Sequence, residues 1–138
     1  MGLLIDSTVL IAAERKHQSP EELLQALVDR FGDVELVISV MSAAELFHGC
    51  WRADSAPRRA RREEFVEAIL SVVPVVPVTL AVARAFGELD AKGSERGRRL
   101  PTSDLLIAAT ALCRGDEVVT GNVRHFKRVP GLVVHELR

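Results

Sequence analysis

The sequence predicts an α/β fold: a three-layer α/β/α sandwich around a mainly parallel central sheet. Three observations lead there. Short apolar runs alternate with longer stretches of helical periodicity along the whole chain. The runs lack the polar alternation of a half-exposed strand, so both faces of the sheet are expected to be covered. The length, 138 residues, is that of one domain and leaves no room for a second core, so residues 1–138 are expected to form a single unit.

The elements follow in order. Residues 2–5 read as a buried strand ending at Asp6, and Ser7 starts a helical stretch through about Arg15. Ser19-Pro20-Glu21-Glu22 is a helix start, with Ser as N-cap, Pro in the first turn and acids near the positive end of the dipole. Leu23, Leu24, Leu27 and Val28 follow at helical spacing, and Gly32 ends that helix. Glu35 to Ser39 is a second buried strand; Ser39 or Ser42 caps the next helix, which runs to about Arg52. Pro57 opens another helix whose apolar stripe is Phe65, Val66, Ile69 and Leu70. Val72 to Val78 holds two prolines, so only a short edge-like strand fits there. Thr79 caps a helix through about Lys92, and residues 93–100 read as a polar, basic loop. Pro101-Thr102-Ser103-Asp104 begins a helix that is apolar almost all round, hence buried, and stops at Gly115. Glu117 to Thr120 is a strand, and Leu132 to Leu137 another.

Composition excludes several classes. No positive charge precedes the first apolar run and Asp6 interrupts it, so no secretory signal is expected. No stretch approaches the ~20 apolar residues of a membrane span. Cys50 and Cys113 lie in apolar helical stretches without a partner motif; they are expected to be buried thiols in a reducing cytoplasm. A formal net charge of -1 gives no general argument for nucleic acid. The distribution says more: Arg58, Arg59, Arg61 and Arg62 form one cluster, and Arg96, Arg98 and Arg99 another. Each is either a solvated face or a set of guanidinium forks for phosphates.

Three acids stand out because their neighbours are apolar. Asp6 ends the first strand, Glu45 lies near the start of the helix after the second, and Asp104 opens the buried helix. In a parallel sheet, strand ends and following helix starts share one edge, near the switch in strand order. All three carboxylates are therefore directed to that edge. Together they need compensation, which a hard divalent cation such as Mg²⁺ or Mn²⁺ provides through oxygen ligands and retained waters. Such an ion supports hydrolysis of a phosphodiester. Singly, each acid has a plainer reading: Asp6 as a cap, Glu45 closing a capping box with Ser42, Asp104 placed for the helix dipole. Thr120 and Asn122 fall at the same edge, and Asn122 can serve a carboxylate, a metal or a turn. Ser7, Ser42, Thr102 and Ser103 flank the acids as orienting groups or as caps. Asp116 precedes its strand, so it is expected at the opposite edge, ~13 Å away, as a surface loop residue. His17 and His48 are expected to be structural or exposed. No His/Cys cluster has zinc spacing, and no glycine-rich phosphate loop is present.

The blocks LLIDSTVLI, SVMSAAELFHG, TSDLLIAATAL and VVTGNVRHFKRVPGL, in this order, resemble the four motif blocks of the PIN-domain ribonucleases. The likeness is closest to the VapC toxins of prokaryotic type II toxin–antitoxin modules and covers nearly the full chain. It implies an α/β/α sandwich and Mg²⁺- or Mn²⁺-dependent endonucleolytic cleavage of RNA, often structured RNA such as transfer RNA. It also implies a homodimer, and a VapB-type antitoxin whose C-terminal segment lies over the active site. The family's three acids map onto Asp6, Glu45 and Asp104, with Asn122 retained. One departure is His125, which stands ahead of Phe126 where the family often has a fourth acid. One well-held metal is therefore expected, with a second bound only alongside substrate. The apolar helices around residues 23–28 and 65–70 are candidates for the dimer surface.

Two other readings compete. A phosphatase or phosphorelay domain would also place an Asp after the first strand. However, the haloacid-dehalogenase pattern wants a second Asp where Thr8 stands, and a receiver wants a Lys after a late strand. A catalytically inactive module that only binds antitoxin or RNA finds its support in the missing fourth acid.

Overall fold

In the computed structural model, which describes residues 2–137, five short segments become strands: β1 (Gly2–Ile5), β2 (Glu35–Ser39), β3 (Val75–Val76), β4 (Glu117–Thr120) and β5 (Val134–Glu136). They pair in the order β3-β2-β1-β4-β5, each neighbouring pair parallel. Leu4 at the centre of the sheet stands opposite Val37 on one side and Val118 on the other. The helices are α1 (Ser7–Arg15), α2 (Pro20–Phe31), α3 (Val40–Trp51), α4 (Ala56–Leu70), α5 (Leu80–Glu95), α6 (Thr102–Arg114) and α7 (Val123–Phe126).

Successive strand residues point to opposite faces, and here both faces are apolar. Leu3, Ile5, Ile38 and Val119 share one core with Val9, Leu10, Leu23, Leu27, Leu46, Val66 and Ile69 from the first four helices. Leu4, Val37, Val76 and Val118 share the other with Leu105, Ile107, Ala108 and Phe126 from α6 and α7. The expected three layers follow from this division. Local signals set the helix starts. Ser19 Oγ accepts from the Glu22 N–H at 3.1 Å while Glu22 Oε1 accepts from the Ser19 N–H at 2.9 Å, a reciprocal capping box.

The structure differs from the expectations in five places. Helix α5 continues through Gly93 to Glu95, because its stop is Gly97, in the left-handed region at φ 66°. The four-residue helix α7 falls where no helix was expected. Cys113 is exposed, on the solvent side of the last turn of α6; Cys50 is buried, and both are free thiols. Leu23, Leu27, Val66 and Ile69 are buried within the first core, so these four side chains are not free for a dimer surface, while Val28 of the same stripe stays exposed. Asp116 does lie at the amino edge, but it is buried rather than superficial. Its Oδ1 accepts the Gly2 N–H at 3.0 Å and its Oδ2 accepts from Arg114 Nε at 2.8 Å, while the same guanidinium reaches Glu35 at 2.8 Å.

Strand order changes direction at β1. The chain leaves it toward β2 and β3 on one side and later adds β4 and β5 on the other. The crevice beyond the carboxyl ends of β1 and β4 is the switch point, where open α/β sheets place their sites.

Candidate active site

Asp6 follows β1 into that crevice and is 2% exposed. Its backbone N–H extends the ladder to Val119 O at 3.0 Å, which fixes the residue beside β4. It stands at the N-cap of α1, yet its side chain does not cap the helix. Instead, Oδ2 accepts from Thr8 Oγ1 at 2.7 Å and from Thr120 Oγ1 at 2.8 Å. Each hydroxyl is itself supplied by a backbone donor: Gly121 N–H to Thr8 Oγ1 at 2.9 Å, and Asn122 N–H to Thr120 Oγ1 at 2.8 Å. Two parallel relays thus run from the β4–α7 turn to one carboxylate oxygen. Burial pushes the Asp6 carboxyl above the usual range; the two hydroxyls pull it down, and the Asp104 charge adds to the rise.

Glu45 lies in the second turn of α3 and is half-buried. Ser39 caps this helix, accepting from the Met41 N–H at 3.1 Å, so the box of Ser42 with Glu45 does not form. Glu45 Oε1 accepts instead from Ser7 Oγ at 3.0 Å, across from α1. Burial raises the Glu45 carboxyl, the bond from Ser7 lowers it, the Asp6 and Asp104 charges raise it further, and a bond from Ser103 lowers it again. The three acids therefore lie within electrostatic reach of one another at the edge where strand ends and helix starts meet.

Asp104 sits in the first turn of α6. His125 Nδ1 stands 2.6 Å from its Oδ2, and Asn122 Nδ2 stands 3.5 Å from the same oxygen and 2.8 Å from Nδ1. Thus the N-cap of α7, Asn122, and His125 within it both reach Asp104.

The sequence-expected residues divide clearly. Asp6, Glu45, Asp104 and Asn122 come together, with Ser7 and Thr120 bonded to them and Ser103 near Glu45. Ser42 does not join: its buried hydroxyl has no hydrogen-bond partner among the described residues. His17 and His48 are exposed and distant from the site's hydrogen bonds. Thr8 is the residue bonded into this site that the sequence did not single out. Its signal was the Asp-x-Thr spacing across a helix start, which returns a hydroxyl to the acid two residues back.

Among the described residues, no lysine or arginine pairs with Asp6, Glu45 or Asp104, and His125 is the one basic group that does. Nor, among those residues, are three His, Cys, Asp or Glu side chains already drawn in around one point. The donor set is nonetheless hard oxygen throughout, with one oxygen of each acid held by a neighbour. This fits an ion that keeps several waters and takes a few carboxylates, as Mg²⁺ and Mn²⁺ do, rather than zinc in a closed cage.

Comparison with known proteins bears on this geometry. The PIN domain family model matches residues 3–132. Ribonuclease VapC1 of Rickettsia felis is 30% identical over 134 residues, spanning 97% of this chain and 95% of that protein. Among solved structures, VapBC2 from Rickettsia felis, bound to a DNA fragment from its promoter, superposes with a TM-score of 0.87 at 23% identity and covers all of both chains. VapBC-5 from Mycobacterium tuberculosis, of the VapBC family of toxin–antitoxin systems, superposes with a TM-score of 0.74 at 31% identity, covering 99% of this chain and 97% of that one.

Proposed function

The chain belongs to the PIN-domain family, and from that premise we propose that it is the toxin of a type II toxin–antitoxin pair, an endoribonuclease hydrolysing RNA phosphodiester bonds with Mg²⁺ or Mn²⁺. The observation that carries the reading is the set of three mutually repelling carboxylates at the switch point, left without a lysine or arginine partner among the described residues. Asp6 and Asp104 are the chief metal ligands, and Glu45 completes the set or orients the attacking water. When bound, the ion supplies compensation for the three charges and activates water for in-line attack on phosphorus.

The chain's own residues supply position. Thr8 and Thr120 hold one Asp6 oxygen and leave the other for the crevice. Ser7 keeps Glu45 turned toward α1. Asn122 and His125 restrain Asp104. His125 replaces an acid with a group that competes for an Asp104 oxygen. His125→Asp is therefore expected to tighten Mn²⁺ binding several-fold, and unchanged affinity would remove the idea that a ligand was lost here.

The remaining proposals rest on family membership. Residues 1–138 act as one nuclease domain, and the substrate is structured RNA such as transfer RNA. The partner is a VapB-type antitoxin, a reading that VapBC-5 supports. A homodimer is supported by Val40, Phe47 and Trp51, apolar and exposed along α3. A reducing cytoplasm suits two free cysteines; no helix among the described residues is long and apolar enough to cross a membrane.

The test is incubation of antitoxin-free protein with total cellular RNA in Mg²⁺, in Mn²⁺ and in EDTA, beside Asp104→Ala. Discrete cuts that need metal and vanish in the variant are expected. Cuts that persist in EDTA or in the variant would overturn the site. Binding of metal and RNA without cutting would favour the inactive module.

A further inference from the structure

The two arginine clusters of the sequence have different fates. In the first, Arg58 pairs with Asp54, Arg59 with Glu63 and stacks on Trp51, and Arg62 pairs with Glu14 and donates to Gly49 O. Three of its four arginines are thus engaged by α1, α3, α4 and the turn before α4, and Arg61 alone of the four has no carboxylate partner among the described residues. In the second, Arg99 pairs with Asp90, but Arg96 and Arg98 have no carboxylate partner among the described residues, and neither has Arg128. All three line a cavity of about 410 Å³. This is within the ~300–1,000 Å³ range of ligand sites.

The loop that presents these arginines is built. Helix α5 ends in a Schellman motif: the Arg98 N–H bonds Gly93 O at 2.7 Å and the Gly97 N–H bonds Ser94 O at 3.1 Å. Gly97 adopts φ 66°, and a Cβ on Gly93 would stand 3.3 Å from Arg98 O. These glycines fold the arginine loop back over the end of α5. The floor is apolar, with Leu89, Leu100, Leu105 and Leu112. Five cations and two carboxylates line the cavity, a net of three positive charges over that floor. A cleft of one charge sign with low-dielectric walls focuses its field outward on a polyanion.

One wall is α5 with its following loop, and the other is formed by segments that continue from elements of the acid site. Leu100 lies just ahead of α6 and Leu105 is the neighbour of Asp104; Arg128 and Val129 follow α7, which carries His125. We propose that this cavity holds the RNA backbone beside the scissile bond, with Arg96, Arg98 and Arg128 as positioning residues that engage two or three phosphates. The proposal rests on the nuclease reading above and extends it to where the strand runs. The guanidinium forks match phosphate oxygens, and binding there places the adjoining phosphodiester at the three acids.

The test is fluorescence anisotropy with a labelled single-stranded RNA in EDTA, where cutting is off, over a series of salt concentrations. It compares the full chain with Arg96→Ala/Arg98→Ala, Arg128→Ala and Arg61→Ala, the last from the other cluster. The double variant is expected to bind ~10-fold or more weakly, and its slope of log affinity on log salt to fall by about one to two. Arg128→Ala should lose about one, and Arg61→Ala should match the wild type. Arg98→Lys, which keeps the charge, should restore most of the slope, which a merely structural role for the loop would not do. Wild-type affinity and slope in the double variant would overturn the proposal and leave the cavity to a protein partner. If the wild type cuts RNA in Mg²⁺ while the double variant binds normally, this inference fails and the nuclease reading stands. If the wild type never cuts but its binding depends on Arg96 and Arg98, the nuclease reading fails and the cavity stands.

Discussion

The sheet carries buried carboxylates at both ends of its strands. At the amino edge, Asp116 is 7% exposed and at the carboxyl edge Asp6 is 2% exposed, so depth hardly separates them. Their surroundings do. Asp116 lies against Arg114, which also holds Glu35, and a backbone N–H completes the set. It ties β1, β2 and β4 together where the strands begin. Asp6 has two hydroxyls and the Asp104 carboxylate in its surroundings: burial raises its proton affinity, the hydroxyls lower it, and the Asp104 charge adds to the rise. A compensated acid locks a fold; an uncompensated group of acids stores a demand for a cation. The comparison teaches that the missing partner, rather than burial, marks the site.

The largest effect should come from removing a charge at the carboxyl edge. Asp6→Asn keeps the size and the hydroxyl contacts but is expected to lower RNA cleavage ~100-fold or more, beyond the range seen for outer-shell changes. Its metal-free stability in urea should match or exceed that of the wild type, because a buried unpaired charge is gone. The opposite pattern is expected at the amino edge. Arg114→Ala strands the Asp116 carboxylate and should cost ~2 kcal/mol in urea unfolding, discounted because the arginine is partly exposed. Metal binding in that variant should be unchanged. If either variant showed the other's behaviour, the contrast between the edges would fail.

Smaller changes sharpen it. Thr120→Val removes one relay to Asp6 and leaves the Asn122 N–H without its acceptor. Activity should drop ~10-fold through weaker metal binding, visible as a raised Mg²⁺ requirement. The pH dependence should be the mildest effect. Asp6 and Glu45 both have folded-state values raised above the ordinary 3.8 and 4.5, so the folded protein binds more protons than the unfolded chain between those values and the raised ones. Their ionisation thus disfavours folding as pH rises through that window, and the penalty is relieved as pH falls through the folded values. Metal needs the ionised forms, so added Mg²⁺ should raise the melting temperature more at pH 7.5 than at pH 5. Equal shifts at both would count against these two acids as ligands.

Much of this was legible in the residues. Apolar runs at 2–5, 35–39 and 117–120 became the central strands because both sheet faces demand apolar side chains. The acids were legible as a group because strand ends and helix starts share an edge. What escaped depends on contacts across the fold. Asp116 looks like a loop residue until Arg114 and Gly2 close on it. Thr8 looks like a helix residue until β4 brings Thr120 and Gly121 beside it. Gly93 reads as a helix stop, but the left-handed turn is at Gly97, which only the backbone reveals. Helix α7 is a single turn, too short for periodicity to announce.

The most direct measurement is Mn²⁺ titration of the antitoxin-free protein, followed by electron paramagnetic resonance of the free ion, with Asp6→Asn and Arg114→Ala alongside. Binding by the wild type and by Arg114→Ala, with at least ~10-fold weaker binding by Asp6→Asn, is the predicted result. Equal binding by Asp6→Asn and the wild type, or no binding by the folded wild type, would contradict the assignment of the three acids as the metal site.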